Sequence, residues 1–345
     1  MTPVEWPIAA PSADGGPGPA RVAGSPRLSA VRADFFLDPG SRLTEQERSL
    51  MTAMLTDLVE GIADEFSAGL SAANDEDQRL FERLWSAGLL DIPDLVALLL
   101  RRAEEERIAA AIRSGRPGNP LRFLQSLVSD ENPAVSGAAM ALVLAKGRRR
   151  DRFGGPRILF DDVPAEAAVA LVNAVAAAMR DVLVKRDGAG ADERLSTSAN
   201  ALIARHDEGS RLEARAFELV HALDRAGRLD DRLFRSALAQ GEMGLLFEAL
   251  GRRGGISSES AWEHFTGGSG RLAMLLRICS VPRDLAGEVV ALVADLSGSD
   301  PETEIGRFDS LSDEEVERAR EWLRLSPAYR SAIESLDTDH GQRAL

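Results

Sequence analysis

The stretch LTEQERSLMTAMLTDLVEGIADEFSAGL, residues 43–70, decides the fold class. Thr44 followed three residues later by Glu47 is a capping box. The hydroxyl accepts from the Glu47 N–H and the carboxylate accepts from the Thr44 N–H, so two unpaired donors are satisfied. Behind that cap, Leu50, Met51, Met54, Leu55, Leu58, Val59, Ile62, Phe66 and Leu70 recur at steps of one, three or four, while Asp57, Glu60, Asp64 and Glu65 lie mostly off that stripe. A stripe this wide predicts a long amphipathic helix buried against more than one neighbour.

The rest of the chain extends the pattern. With 345 residues, 44% hydrophobic and 28% charged, it can bury a sizeable core, as two ordinary domains or one extended repeat array. Aromatic residues are only 5%, alternating strand-like runs are nearly absent, and Ala, Leu, Arg and Glu dominate. Propensity and periodicity therefore agree on an all-α fold. The formal charge of −14 disfavours nucleic acid and anionic lipid over most of the surface. Of 41 basic side chains only Lys146 and Lys185 are lysine. A lone cysteine, Cys279 within LAMLLRICS, excludes an intrachain disulfide, fits a reducing cytosol and reads as a buried small hydrophobe.

In chain order, residues 1–30 hold six prolines, four glycines and six alanines and read as a disordered tail with neither secretory signal nor anchor. The longest uncharged runs, 132–145 and 167–179, fall short of the roughly 18 residues that span a bilayer. Residues 31–146 form a first helical lobe, in which Phe35, Phe36 and Leu37 staple the start of the first long helix or serve as a short recognition motif. Asp91 with Pro93 and Asn132 with Pro133 open further helices. The RRAEEER segment, 101–107, reads as a solvated face with pairs such as Arg101 with Glu105.

The pattern breaks at KGRRRDRFGGPR, residues 146–157, with six basic side chains against one Asp. Its Gly-Gly-Pro ends any helix, so 147–162 is a basic linker or hinge. Arg148, Arg149, Arg150 and Arg152 are candidates to dock an acidic partner or a phosphate. The plainer reading is a solvated helix end whose cations suit the C-terminal dipole. From 163 the first layout returns. At an offset of 120, Leu171 falls on Met51, Val175 on Leu55, Met179 on Val59 and Val182 on Ile62, as a duplication would leave. A second lobe, 163–297, contains many short helices separated by glycine or caps, the pattern of stacked HEAT or armadillo hairpins. Residues 298–345 read as a polar acidic stretch at 298–309, then two helices opened by the capping box Ser312 with Glu315 and by Ser326-Pro327. Between Asp284 and Asp339 there are 15 acidic and five basic side chains.

The runs RADFFLDPGSRLTEQERSLM (32–51), SDENPAVSGAAMAL (129–142) and LSDEEVERAREWLRLSPAYRSAI (311–333) resemble the bacterial, all-helical family catalogued as domain of unknown function 2336. The resemblance covers nearly everything after the tail and implies a HEAT-like array in a bacterial cytosol. It implies no activity, and no functional residue is carried over.

A search for chemistry finds little. His206, His221, His264 and His340 show no HExxH spacing, and one cysteine cannot build a thiolate site, so no metal or cofactor is expected. His206 reads as a helix-end turn and His221 as a core or boundary imidazole. TGGSGR, 266–271, precedes a helix but lacks the strand and the Gly-Lys-Ser/Thr of a phosphate loop, so it reads as an interhelical turn. Neighbouring carboxylates such as Glu104 and Glu105 point about 100° apart on a helix. The expected function is a noncatalytic scaffold or adaptor for a protein partner, steered by Glu314, Glu317 and Glu321 and by the arginine linker, with Trp322 and Tyr329 as aromatic interface candidates. Nucleic-acid binding through the linker and a small-ligand pocket between lobes are the alternatives.

Overall fold

The structure is a computed structural model that describes residues 44–67, 74–115, 122–188, 190–267, 270–297 and 300–327, with 329, 330, 332, 333 and 336. The expected tail, Phe35, Phe36, Leu37, Leu70 and His340 lie outside the described residues. The regular elements described are helical: α1 (Glu45–Ser67), α2 (Asn74–Ser86), α3 (Pro93–Gly115), α4 (Arg122–Val128), α5 (Pro133–Arg148), α6 (Ala165–Asp187), α7 (Ala191–Ala204), α8 (Leu212–Arg225), α9 (Asp231–Gln240), α10 (Met243–Gly254), α11 (Ser258–Thr266), α12 (Arg271–Ile278), α13 (Arg283–Ser297), α14 (Pro301–Ser310) and α15 (Asp313–Arg324). None of these helices is long and apolar enough to cross a membrane.

Two compact units interleave along the chain: Leu43–Glu104 with Leu144–Ala214, and Glu105–Val143 with Arg215–Leu345. The lobes drawn from the sequence, 31–146 and 163–297, run along the chain instead.

The first unit is built around α1. Its capping box forms as read, with the Thr44 N–H donating to Glu47 Oε2 at 2.8 Å and the Glu47 N–H to Thr44 Oγ1 at 3.2 Å. Met51, Met54, Leu55, Leu58, Val59 and Ile62 are buried on α2, α6 and α7. Thus α1 and α6, the two helices aligned at an offset of 120, are neighbours in one core. The RRAEEER segment is a correction: Arg101, Arg102 and Glu104 are buried, not solvated. Arg102 Nη2 donates to Glu213 Oε1 at 2.8 Å. Burial works to raise the Glu213 carboxyl, but Arg102, Arg101 and Arg211 outweigh it and hold it at about 2.

In the second unit consecutive helices pack on one another, α9 on α10, α10 on α11 and α11 on α12, while α12 also meets α13, α14 and α15. Phe247 and Phe265 meet edge to face in its core at 5.2 Å. Side-chain caps set the helix starts: Asp230 accepts from the Leu233 N–H at 2.9 Å, Ser257 from the Ser260 N–H at 3.0 Å, and Ser312 shares its capping box with Glu315. Gly241 closes α9 at φ 69°, where a Cβ would also lie 3.0 Å from the Ala109 backbone, so only glycine fits.

The polar acidic stretch at 298–309, for which no helix was expected by the sequence pattern, contains α14. Asp300 caps it, accepting from the Thr303 N–H at 3.0 Å, and Pro301 occupies its first turn. Its Glu304 and Phe308 are buried one turn apart.

Candidate interaction site

The arginine run does not form a loose linker. Past the end of α5 the chain turns back on itself. The Arg157 N–H donates to the Arg149 carbonyl at 2.9 Å, the Asp151 N–H to the Gly155 carbonyl at 2.9 Å, and Arg150 bridges antiparallel to Pro156. Asp151 Oδ1 holds the inside of this knuckle, accepting from the Phe153 N–H at 2.8 Å and the Gly155 N–H at 2.7 Å. Gly154 has φ 84°, and a Cβ on Gly155 would sit 2.9 Å from Asp151 Oδ2, so both glycines are required. An ion pair of 2.9 Å between Arg157 and Asp57 ties its far end to α1.

Arg149 is a correction among the arginines. Only 6% of it is exposed, so it cannot reach a partner. Its Nε donates to both oxygens of fully buried Asp162, at 2.9 and 2.7 Å, and its Nη2 to Oδ1 at 2.6 Å. The remaining donors go to the Ala145 and Ser210 carbonyls, and Asp162 also accepts from the Leu159 and Leu212 N–H groups. Every nitrogen of the guanidinium and both oxygens of the carboxylate thus carry a hydrogen bond, the condition under which a buried ion pair is tolerated.

Arg148 and Arg152 remain at the surface and Arg150 half buried, its Nη1 donating to the Gly154 carbonyl. At the tip stands Phe153, 80% exposed, with the Arg152 guanidinium 4.6 Å from its ring centre. The charge pattern of 146–157 points to its cations and not to this aromatic. An apolar side chain inside a charge run at a Gly-Gly turn was the available signal, since such a turn has no core to receive it.

On α15, Glu314 and Glu321 are exposed, and Glu314 pairs with Arg318 at 3.6 Å. Glu317 is bonded to Arg320 and lines a pocket of about 380 Å³ between α12, α14 and α15. The pocket has an apolar floor of Val281, Phe308 and Val316 and a rim that includes Asp313. Arg277 donates to Asp313 at 2.8 Å and to the Leu311 carbonyl at 3.2 Å, and Arg320 donates to the Ile278 carbonyl at 2.8 Å. Trp322 is half buried and Tyr329 is 57% exposed, so Tyr329 is the freer of the two aromatic candidates.

The other singled-out groups fall into structural roles. His206 Nε2 lies 2.8 Å from the Val163 carbonyl, with its ring edge-on to Phe160. His221 is a further correction: it is exposed on α8 and stacks on exposed Phe217 with ring centres 5.9 Å apart. The turn before α12 already holds an anion of the chain's own, because the Gly270 N–H donates to buried Glu304 at 3.0 Å. Cys279 donates to the Leu250 carbonyl at 3.2 Å, and burial pushes its thiol up to about 12, which removes its nucleophilicity. Among the described residues no group of three or more His, Cys, Asp or Glu side chains is placed to hold a metal ion.

No curated protein and no solved structure matches the chain. The model of the family described as "Uncharacterised protein conserved in bacteria (DUF2336)" matches residues 84–321, and the chain belongs to that family.

Proposed function

We propose that the chain is a noncatalytic protein-interaction module of the bacterial cytosol, a HEAT-like scaffold or adaptor that engages an acidic partner protein through the 149–157 knuckle. The observation that carries this reading is Phe153, 80% exposed on a turn held by its own hydrogen bonds. Burying such a ring on a partner is worth about 1.5–3 kcal/mol. A preformed turn also avoids most of the ordering cost of binding. Arg152, stacked on the ring, and Arg148, exposed at the end of α5, steer acidic surfaces and speed encounter. The pairwise stacking from α9 to α12 supports a helical-repeat body. Nucleic acid is the weaker reading, because Arg149 faces inward and the net charge is −14.

A photocrosslinking amino acid placed at position 153 in living cells tests the reading. The expected result is a covalent adduct with protein, lost when Arg148 and Arg152 are changed to Glu. Adducts no stronger than those from the same probe at exposed Glu193, or an adduct indifferent to the charge reversal, would overturn it.

A further inference from the structure

Two cations of the arginine run lack a counter-ion. Among the described residues neither Arg148 nor Arg152 meets a carboxylate, whereas Arg149 is paired with Asp162 and Arg157 with Asp57. Bare cations beside an exposed ring, on a chain with a net charge of −14, define what would cover them: an apolar or aromatic side chain flanked by carboxylates. The chain carries such a run itself, Asp34-Phe35-Phe36-Leu37-Asp38, outside the described residues and shortly before α1. We propose that this run docks on the knuckle of its own chain and covers Phe153 until a partner displaces it. The proposal rests on the reading of Phe153 as a docking anchor and supplies the regulation of that site.

The length of the tether permits the contact. Phe36 stands eight residues before Thr44, a span of up to about 27 Å at roughly 3.4 Å per residue. The knuckle is fixed to the same helix, because Arg157 is paired at 2.9 Å with Asp57, which lies about 20 Å along α1 from Thr44. The run therefore reaches the level of the turn. So short a tether holds it at an effective concentration on the order of millimolar, enough to populate a contact too weak to form between separate molecules. The Arg152 guanidinium already lies 4.6 Å from the Phe153 ring centre, so a carboxylate that meets it brings the neighbouring phenylalanine to that ring. A partner that displaces the run has to offer the same chemistry, aromatic side chains between carboxylates.

An aromatic photocrosslinking amino acid at position 153 of the purified full chain, dilute and at low salt, tests the contact when the digested adducts are mapped by mass spectrometry. An adduct within one chain, to residues 34–38, is expected. It should be lost in Asp34→Arg with Asp38→Arg, and equally in Arg148→Glu with Arg152→Glu. Combining all four changes restores opposite charges and should bring the adduct back, which a folding defect in either double variant would not do. In living cells the Asp34→Arg, Asp38→Arg chain should capture its partner more strongly than the wild type, because its knuckle is open. No adduct to 34–38, adducts only between chains, indifference to either reversal, no recovery in the combined variant, or a partner adduct that opening does not strengthen overturns the proposal. If a protein is captured in cells but no intrachain adduct forms, the interaction-module reading stands and the docking of 34–38 falls. If the intrachain adduct forms but even the opened chain captures nothing, the docking stands and the interaction-module reading falls; with neither, both fall.

Discussion

The arginine run at 148–152 and the acidic run at 300–321 carry opposite charge, and folding divides each into an inward and an outward part. In the first, Arg149 turns into the core and is surrounded by Asp162 and two carbonyls, while Arg148 and Arg152 stay in solvent. In the second, Glu304 turns inward and meets the start of α12 through the Gly270 N–H, while Asp313, Glu314 and Glu321 stay out. The two inward residues differ in what they leave behind. Arg149 faces a full opposite charge with no access to water, whereas Glu304 faces a helix N-terminus with about half a charge and also reaches half-exposed Arg307. A run of like charge is therefore a mixture of anchors and free surface, and the cost of removing a member depends on what faces it.

Removing the first anchor should have the largest effect. Asp162→Ala leaves the Arg149 guanidinium buried and uncompensated, and breaking a buried pair from one side costs about 3–5 kcal/mol. Urea unfolding should show this as a lower midpoint. Replacing both partners with apolar residues of similar volume should recover much of the loss. A single variant as stable as the wild type would show that water reaches this site and that the comparison with Glu304 fails.

A pH scan gives the next effect. Burial, seconded by Arg271 and Arg330 and opposed by the Ser260 carbonyl, holds His264 at about 4, below its ordinary value near 6.5. The unfolded chain therefore binds a proton that the folded chain refuses, and stability falls as pH drops from about 6.5 to about 4, by up to roughly 3 kcal/mol. Glu263 and Arg330 stand nearby as an ion pair of 3.7 Å. In His264→Gln the slope over this window should flatten. Glu213, held at about 2, acts lower: its contribution is present above its ordinary value near 4.5 and is lost as pH falls toward 2.

Glu304→Gln should cost less, about 0.5–2 kcal/mol, because an amide oxygen still accepts from the Gly270 N–H and only the charge is lost. Melting temperature measured at two salt concentrations separates the parts, since the charge-dependent share shrinks with salt. A loss as large as that of Asp162→Ala would show that Glu304 is an anchor of the same kind.

How much of this could be read beforehand depends on the distance between interacting residues. The α1 capping box and stripe are local, three or four residues apart, and Thr44, Glu47 and the buried methionines fall where their spacing puts them. The start of α14 was equally local: Asp300-Pro301 repeats the cap and first-turn proline read at Asn132-Pro133, but the acidic composition hid it. His221 was legible too, since Ala216, Leu219, Val220 and Leu223 define the buried stripe of α8 and leave positions 217 and 221 outside. Arg149 was not. Its partner carbonyl on Ser210 lies 61 residues away, and whether an arginine faces water or a carboxylate is decided by what the chain brings to it. The pocket was hidden for the same reason, with Val281 and Phe308 meeting only because α12 and α14 pack together.

The smallest expected effect on stability belongs to Phe153. With 80% of the residue in solvent, Phe153→Ala removes almost no buried surface and should stay within about ±0.5 kcal/mol of the wild type in a urea titration. The same change should abolish docking at the knuckle. That contrast separates the two roles within one run of ten residues, since Asp162→Ala, acting on Arg149, should lower stability while the protein that remains folded still docks. A clear loss of stability in Phe153→Ala would mean that the ring and the Arg152 guanidinium stacked on it hold the turn together. The knuckle would then be an anchor throughout, and the division between inward and outward charge would have to be drawn at Arg148 alone.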